Sequence, residues 1–114
     1  MYNELGHGFL ESVYHKSLGL ALEAEGLNVA NHFKIAVSFR GQRVGMFEGD
    51  MLVENTILLE LKTARCLDLS HHSQLLNYLR ATDIEVGLLL NFGLKPEFKR
   101  LILDNASKTN RCGN

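Results

Sequence analysis

The segment Glu48–Lys62, with the sequence EGDMLVENTILLELK, constrains the fold of this chain more than any other stretch. Two apolar runs in it flank Glu54-Asn55, a dipeptide that suits a tight turn. The segment therefore predicts a β-hairpin with strands over Val44–Val53 and Thr56–Thr63. Because leucine and isoleucine fill the second run almost without interruption, we expect that strand to be buried on both faces.

Three charged side chains, Asp50, Glu60 and Lys62, lie in these apolar strands. Alternation along a strand puts Glu60 and Lys62 on one face. A turn near Asn55 brings Asp50 to Glu60: an odd connection places the two directly opposite, and a two-residue connection shifts the pair by one. The simplest interpretation is an exposed cross-strand ion pair, worth about 0.2–1 kcal/mol. Since unpaired charge is costly in buried strands, we favour a hydrolytic site.

Two carboxylates beside an ammonium group are the parts of such a site. Carboxylate oxygens suit Mg²⁺ or Mn²⁺, which keep water molecules for substrate and nucleophile. Such a cation polarises a phosphoryl oxygen and lowers the pKa of a bound water. A lysine beside it orients that water or stabilises the developing charge.

Two predicted helices add polar residues. Glu11 lies three residues before Tyr14 on one helical stripe, although an acid at a helix start is equally explained by the helix dipole. Gln74 shares a helix face with His71 and Tyr78, and such a strip is often simply solvated.

The remaining pattern predicts an α/β fold, more closely an α+β mixed sheet flanked by helices. Strands joined by tight turns pair antiparallel, and a strand that returns through a helix pairs parallel. We expect one domain over residues 1–104 and a disordered tail over 105–114. The other predicted elements begin with a helix over Phe9–Glu25, ended by Gly26, and a strand over Leu27–Phe39. A second helix over His71–Ala81 has Ser70 as its N-cap and is followed by a strand over Glu85–Asn91. The last segment, Phe98–Leu103, is either a strand or a helical turn.

Composition restricts the classes of binding partner and the cellular location that we expect. The formal net charge of -1 argues against nonspecific nucleic-acid binding through bulk charge, so any contact rests on a local patch. Two cysteines, Cys66 and Cys112, form no disulfide framework, which favours a cytoplasmic protein. No apolar run is long enough to span a membrane, and we expect no membrane partner. The five histidines lack ligand spacing and are predicted to be surface or packing residues. Candidate phosphate contacts are Arg40, Arg43, Lys95, Lys99 and Arg100.

Five motifs occur in order along nearly the whole chain, from Leu5 to Leu103. They are GFLESVY, GDMLVE, LLELK, QLLNYL and VGLLLNFG. In this order the chain resembles the GxxExxY family of the PD-(D/E)XK nuclease superfamily. The superfamily's Pro-Asp pair reads Gly49-Asp50 here.

The resemblance implies a restriction-endonuclease-like αβββαβ core and specific roles for five residues. Asp50, Glu60 and Glu11 would bind Mg²⁺ or Mn²⁺, Lys62 would act on the attacking water, and Gln74 would be the polar residue of the second helix. The implied activity is metal-dependent hydrolysis of DNA, less so of RNA. The alternative is a catalytically silent module that keeps the fold to bind nucleic acid or a protein. A homodimer or larger assembly would supply target choice.

Overall fold

Residues 1–108 are described by a computed structural model. They form a mixed sheet with helices on it. The elements in chain order are α1 (Tyr2–Leu5), α2 (Glu11–Ala24), β1 (Val29–Phe39), β2 (Gln42–Val53), β3 (Ile57–Lys62), α3 (Leu69–Arg80), β4 (Val86–Phe92), β5 (Pro96–Ile102) and a 3₁₀ turn (Asn105–Ser107).

The five strands lie side by side in the order in which they occur in the chain. The β3–β4 pair is parallel, and the other three pairs are antiparallel. The parallel pair follows from the crossover through α3, since a tight turn joins only antiparallel strands. The predicted mixed sheet flanked by helices, with a restriction-endonuclease-like αβββαβ order, is confirmed.

Alternation along the strands divides the core into two clusters. In β3, Leu58 packs in the cluster that includes α3, whereas Leu59 and Leu61 pack in the cluster that includes α2. Tyr14 of α2 is fully buried and stacks on Phe92 of β4, with ring centroids 4.8 Å apart and planes 7° apart. Both faces of β3 are thus covered, as its apolar sequence predicts.

The start of α3 differs from the prediction. Its N-cap is Asp68 and not Ser70: the Asp68 carboxylate accepts hydrogen bonds from the backbone N–H groups of Ser70 and His71. The His71 ring returns the contact by accepting from the Asp68 backbone N–H. This reciprocal cap leaves Ser70 inside the first turn. The other predicted cap is correct, since Gly26 follows the end of α2 with a φ of +83°.

Both ends of the described chain depart from the sequence analysis. The short helix α1 has no counterpart in the prediction, and the undecided segment near Phe98 is the edge strand β5. The predicted tail begins too early: 105–107 form a 3₁₀ turn, and Lys108 is buried with its Nζ donating to the carbonyls of Thr82 and Ile84. Residues 109–114, including Cys112, lie outside the described residues. Within 1–108, no helix is long and apolar enough to cross a membrane.

Candidate active site

The connection between β2 and β3 determines which residues face each other. Val53 pairs with Ile57, so three residues connect the strands, and Glu54 and Asn55 both adopt the left-handed conformation. The connection is therefore odd, and the same register places Asp50 directly opposite Glu60. Of the two alternatives left open by the sequence, the structure has the one that needs no bulge.

Backbone pairing between β2 and β3 stops one residue before this acid pair, at Met51 and Leu59. Beyond these two residues, hydrogen bonds from backbone N–H groups to the two carboxylates connect the strands. The Asp50 N–H donates to Glu60 Oε1 at 3.1 Å, and the Leu61 N–H donates to Asp50 Oδ2 at 2.7 Å. Each acid thus binds the backbone of the neighbouring strand, which fixes both side chains at the point where the strands separate.

Glu60 carries the strongest electrostatic signal in the site. Its side chain is 4% exposed, and this burial, together with the nearby Asp50 carboxylate, raises its pKa from the usual 4.5 to about 8. The hydrogen bond from the Asp50 backbone and the charge of Lys62 act in the opposite direction but do not compensate. An added cation would relieve this surplus of negative charge.

Glu11 is the first residue of α2 and belongs to the same electrostatic group. Burial is the largest cause and raises the pKa of Glu11. The charge of Asp50 raises this pKa further, whereas the charges of Lys62 and His15 lower it. Its helix is anchored from behind by Tyr14, whose hydroxyl donates to the carbonyl of Gly6 at 2.5 Å. The loop before α2 is thereby held against the core, and the start of the helix is directed towards the acid pair.

Lys62 is oriented by a short chain of polar groups on α3. Its Nζ donates to Gln74 Oε1 at 2.9 Å, and Gln74 Nε2 donates to the Tyr78 hydroxyl at 3.3 Å. Burial and, secondly, the charge of Glu60 raise the pKa of Tyr78, so its hydroxyl stays protonated at neutral pH. His71, expected on the same strip, instead closes the N-terminal cap of the helix.

Gly49 is a site residue to which the sequence analysis gave little weight. A Cβ built on it would lie 2.7 Å from Leu58 Cδ1 and 3.3 Å from Glu60 Oε1. The first distance is shorter than real Cβ contacts, so a side chain here would displace the core or the acid. The Gly-Asp sequence in place of Pro-Asp thus has a local physical reason.

The oxygen donors of the acid pair fit a hard divalent cation such as Mg²⁺ or Mn²⁺. The Asp50 backbone N–H donates to the Glu60 carboxylate, and burial together with the nearby Asp50 charge raises the pKa of Glu60. Among residues 1–108, however, no group of three or more His, Cys, Asp or Glu side chains is already gathered to hold a metal. The three-acid ligand set with Glu11 therefore stays a prediction.

The basic residues considered for phosphate contact are not brought into one patch. Arg40 and Arg43 lie at the outer end of the β1–β2 hairpin, whereas Lys95, Lys99 and Arg100 lie in or beside β5 at the opposite edge of the sheet. A groove between α2 and β1 reaches the acids and was not predicted from the sequence. Its histidines are 17 positions apart and gave no local signal.

A mixed sheet that presents two acids and a lysine where two strands separate defines a nuclease-like class of protein. A profile of the PD-(D/E)XK nuclease superfamily matches residues 1–101, and the chain belongs to this superfamily. Nucleases of this superfamily generally use Mg²⁺ or Mn²⁺.

Comparison with solved structures supports the same fold. The structure described as "Crystal structure of SSO0001" is similar with a TM-score of 0.63 and 22% identity, over 85% of this chain and 52% of that chain. This chain thus spans about half the length of that protein, and the likeness shows the fold alone. No curated protein matches the chain.

Proposed function

We propose that this protein is a metal-dependent nuclease of the GxxExxY branch that hydrolyses phosphodiester bonds of DNA rather than RNA. The observation that carries the proposal is the convergence of Asp50, Glu60 and Lys62 where β2 and β3 separate. Superfamily membership supports the reaction class. A cytoplasmic location, inferred from the isolated cysteines, is part of the proposal.

In this mechanism Asp50 and Glu60 would hold Mg²⁺ or Mn²⁺, and Glu11 would complete the acidic wall from α2. When bound, such a cation would supply Lewis-acid polarisation of the phosphoryl group and lower the pKa of a water. Lys62, held by Gln74, donates hydrogen bonds to the attacking water or to the phosphoryl oxygen that gains charge.

Target choice requires more than this domain. The net charge of -1 provides little attraction to a polyanion, and the basic clusters lie at opposite edges of the sheet. A homodimer, a larger assembly or a guide protein would supply further phosphate contacts.

One observation favours a second candidate function, a silent nuclease-fold module that binds nucleic acid or a protein. Glu60 Oε1 and Asp50 Oδ2 already accept backbone hydrogen bonds, so each acid has one oxygen committed to the protein. In a silent module the acids would serve only to accept these backbone hydrogen bonds.

Cleavage by a lysine variant tests the proposal. Lys62→Ala should reduce Mg²⁺-dependent cleavage of DNA, supplied both as plasmid and as a single strand, about 100-fold or more, as expected when a donor to the developing charge is removed. Lys34→Ala is the control, because Lys34 is an exposed lysine 3.6 Å from Glu48 on the outer strands. Equal cleavage by wild type and Lys62→Ala would overturn the mechanism, and binding without cleavage by wild type would establish the silent module.

A further inference from the structure

A groove of about 660 Å³ lies between α2 and β1 and shares Glu11 and Asp50 with the candidate active site. Its walls include His15 and Lys16 of α2 and Asn31 and His32 of β1, with Gly19 leaving room along the helix. The groove therefore starts at the acids and continues away from them along the helix. Its volume is within the range of about 300–1,000 Å³ found for small-molecule sites.

Two histidines from different elements form a flat surface in this groove. The rings of His15 and His32 stack with centroids 4.9 Å apart and planes 23° apart. A hydrogen bond of 3.0 Å between His15 Nε2 and Asn31 Oδ1 holds the first ring in place. The side chain of His32 is 64% exposed, so the stacked pair keeps an accessible ring.

The backbone places His32 beside the acids. Asn31 pairs with Met51 and Phe33 pairs with Gly49, so the position of β1 opposite Asp50 belongs to His32. At this position the backbone turns to a φ of 55°, a left-handed conformation that is uncommon outside glycine but enriched for histidine, asparagine and aspartate. Non-glycine residues in this conformation are often found at ligand sites.

We propose that this groove binds an unpaired nucleotide next to the phosphate being cut, with its base stacked on the His15–His32 pair. The inference rests on the proposed nuclease function and assigns the strand state of its substrate. A base exposes its face to a protein ring only when it has left the duplex stack, and histidine is among the residues that accept such bases. Lys16 on the helix wall is placed to contact the phosphate of the stacked nucleotide.

Binding of a fluorescent oligothymidylate in the presence of a chelator tests the site without any cleavage. Wild type should bind the single strand more tightly than a duplex of the same length. His32→Asn, which keeps a residue suited to the left-handed backbone, should weaken strand binding about 10-fold, since it removes the ring on which the base stacks. His72→Ala on α3, outside the groove, should bind like wild type.

His32→Phe extends the comparison, because it restores a ring without the imidazole nitrogens. We expect it to bind the strand better than His32→Asn. The inference is overturned if the duplex binds as tightly as the single strand, or if His32→Asn and wild type bind alike. Wild type that binds strands and does not cleave them with Mg²⁺ would instead overturn the nuclease function and leave the groove assigned.

Discussion

Asp50 and Glu60 lie opposite each other on β2 and β3, and each uses one carboxylate oxygen to bind the backbone of the other's strand. These bonds stand where the backbone ladder would continue beyond Met51 and Leu59. The acid site therefore lies where the backbone pairing of β2 and β3 ends. A substitution that alters this strand pairing should affect the acids, and a substitution of either acid should affect the strand pairing.

Metal binding should depend on Asp50. Titration calorimetry with Mn²⁺ should show binding to wild type, and Asp50→Asn should weaken it more than about 10-fold, because even groups behind a metal ligand contribute about 10–100-fold. Glu48→Gln is the matched control, since Glu48 is an exposed acid on the same strand, paired with Lys34. Unchanged Mn²⁺ binding by Asp50→Asn would contradict the assignment.

Stability without metal should fall as the pH rises, because of Glu60. Its pKa is about 8 in the folded protein and near 4.5 when unfolded, so between these values the folded state holds a proton that the unfolded state has lost. The free energy of unfolding thus declines from about pH 4.5 to about pH 8 and is lowest above that range. Each pKa unit corresponds to about 1.4 kcal/mol, which makes the decline a matter of a few kcal/mol.

Glu60→Gln should remove most of that slope, because a glutamine does not titrate. Urea denaturation across this pH range, with chelator, measures it. The variant should be more stable than wild type at alkaline pH and should lose the stabilisation that Mg²⁺ gives wild type. A slope identical in both proteins would show that another group is responsible.

Gln74 should matter through Lys62. Gln74→Leu leaves the ammonium group without its acceptor at 2.9 Å. Hydrogen bonds to charged groups are worth about 1.5–3 kcal/mol, so cleavage should fall about 10-fold or more while the protein stays folded. Tyr78→Phe removes only the hydroxyl behind Gln74 and should have a smaller effect. A larger loss of cleavage in Tyr78→Phe than in Gln74→Leu would contradict the proposal that Tyr78 acts on Lys62 only through Gln74.

A side chain at Gly49 should destabilise the protein. Gly49→Ala puts a methyl group 2.7 Å from Leu58, which is fully buried, and should reduce the free energy of unfolding by about 1–3 kcal/mol. Gly45→Ala in the same strand is the control: its Cβ meets only the Phe47 ring at 3.3 Å, and Phe47 is 48% exposed, unlike the buried Leu58. Thermal unfolding of both variants gives the comparison, and equal melting temperatures would refute the steric explanation.

Local pattern was enough to predict most of the sheet. The apolar runs around Asp50 and Glu60, the glycine after α2 and the helix between β3 and β4 led to the correct order of elements from α2 to β4. The cross-strand register of the two acids was predicted only to within one residue, because Thr56 suits a loop and a strand equally well. The connection length, which decides the register, is set by pairing in three dimensions.

Other features have causes that a local pattern does not contain. Helix α1 is only four residues long, and its Tyr2 and Leu5 pack on the cluster around Tyr14, so tertiary contacts support it. Strand β5 is mostly exposed at an edge and shows no alternation. The contact between His15 and His32 arises because the chain reverses between α2 and β1. The cap at Asp68 was missed because Ser70 is an equally good capping residue.

The crossover through α3 has a consequence for the order of folding. The β1–β2 hairpin closes over a two-residue turn, whereas the parallel β3–β4 pair requires closure of the long segment that contains α3. Long closures form later than local hairpins, because their entropy must be lost before contacts compensate. A chain emerging during synthesis would therefore carry an assembled β1–β2 hairpin well before β3 gained its parallel neighbour β4.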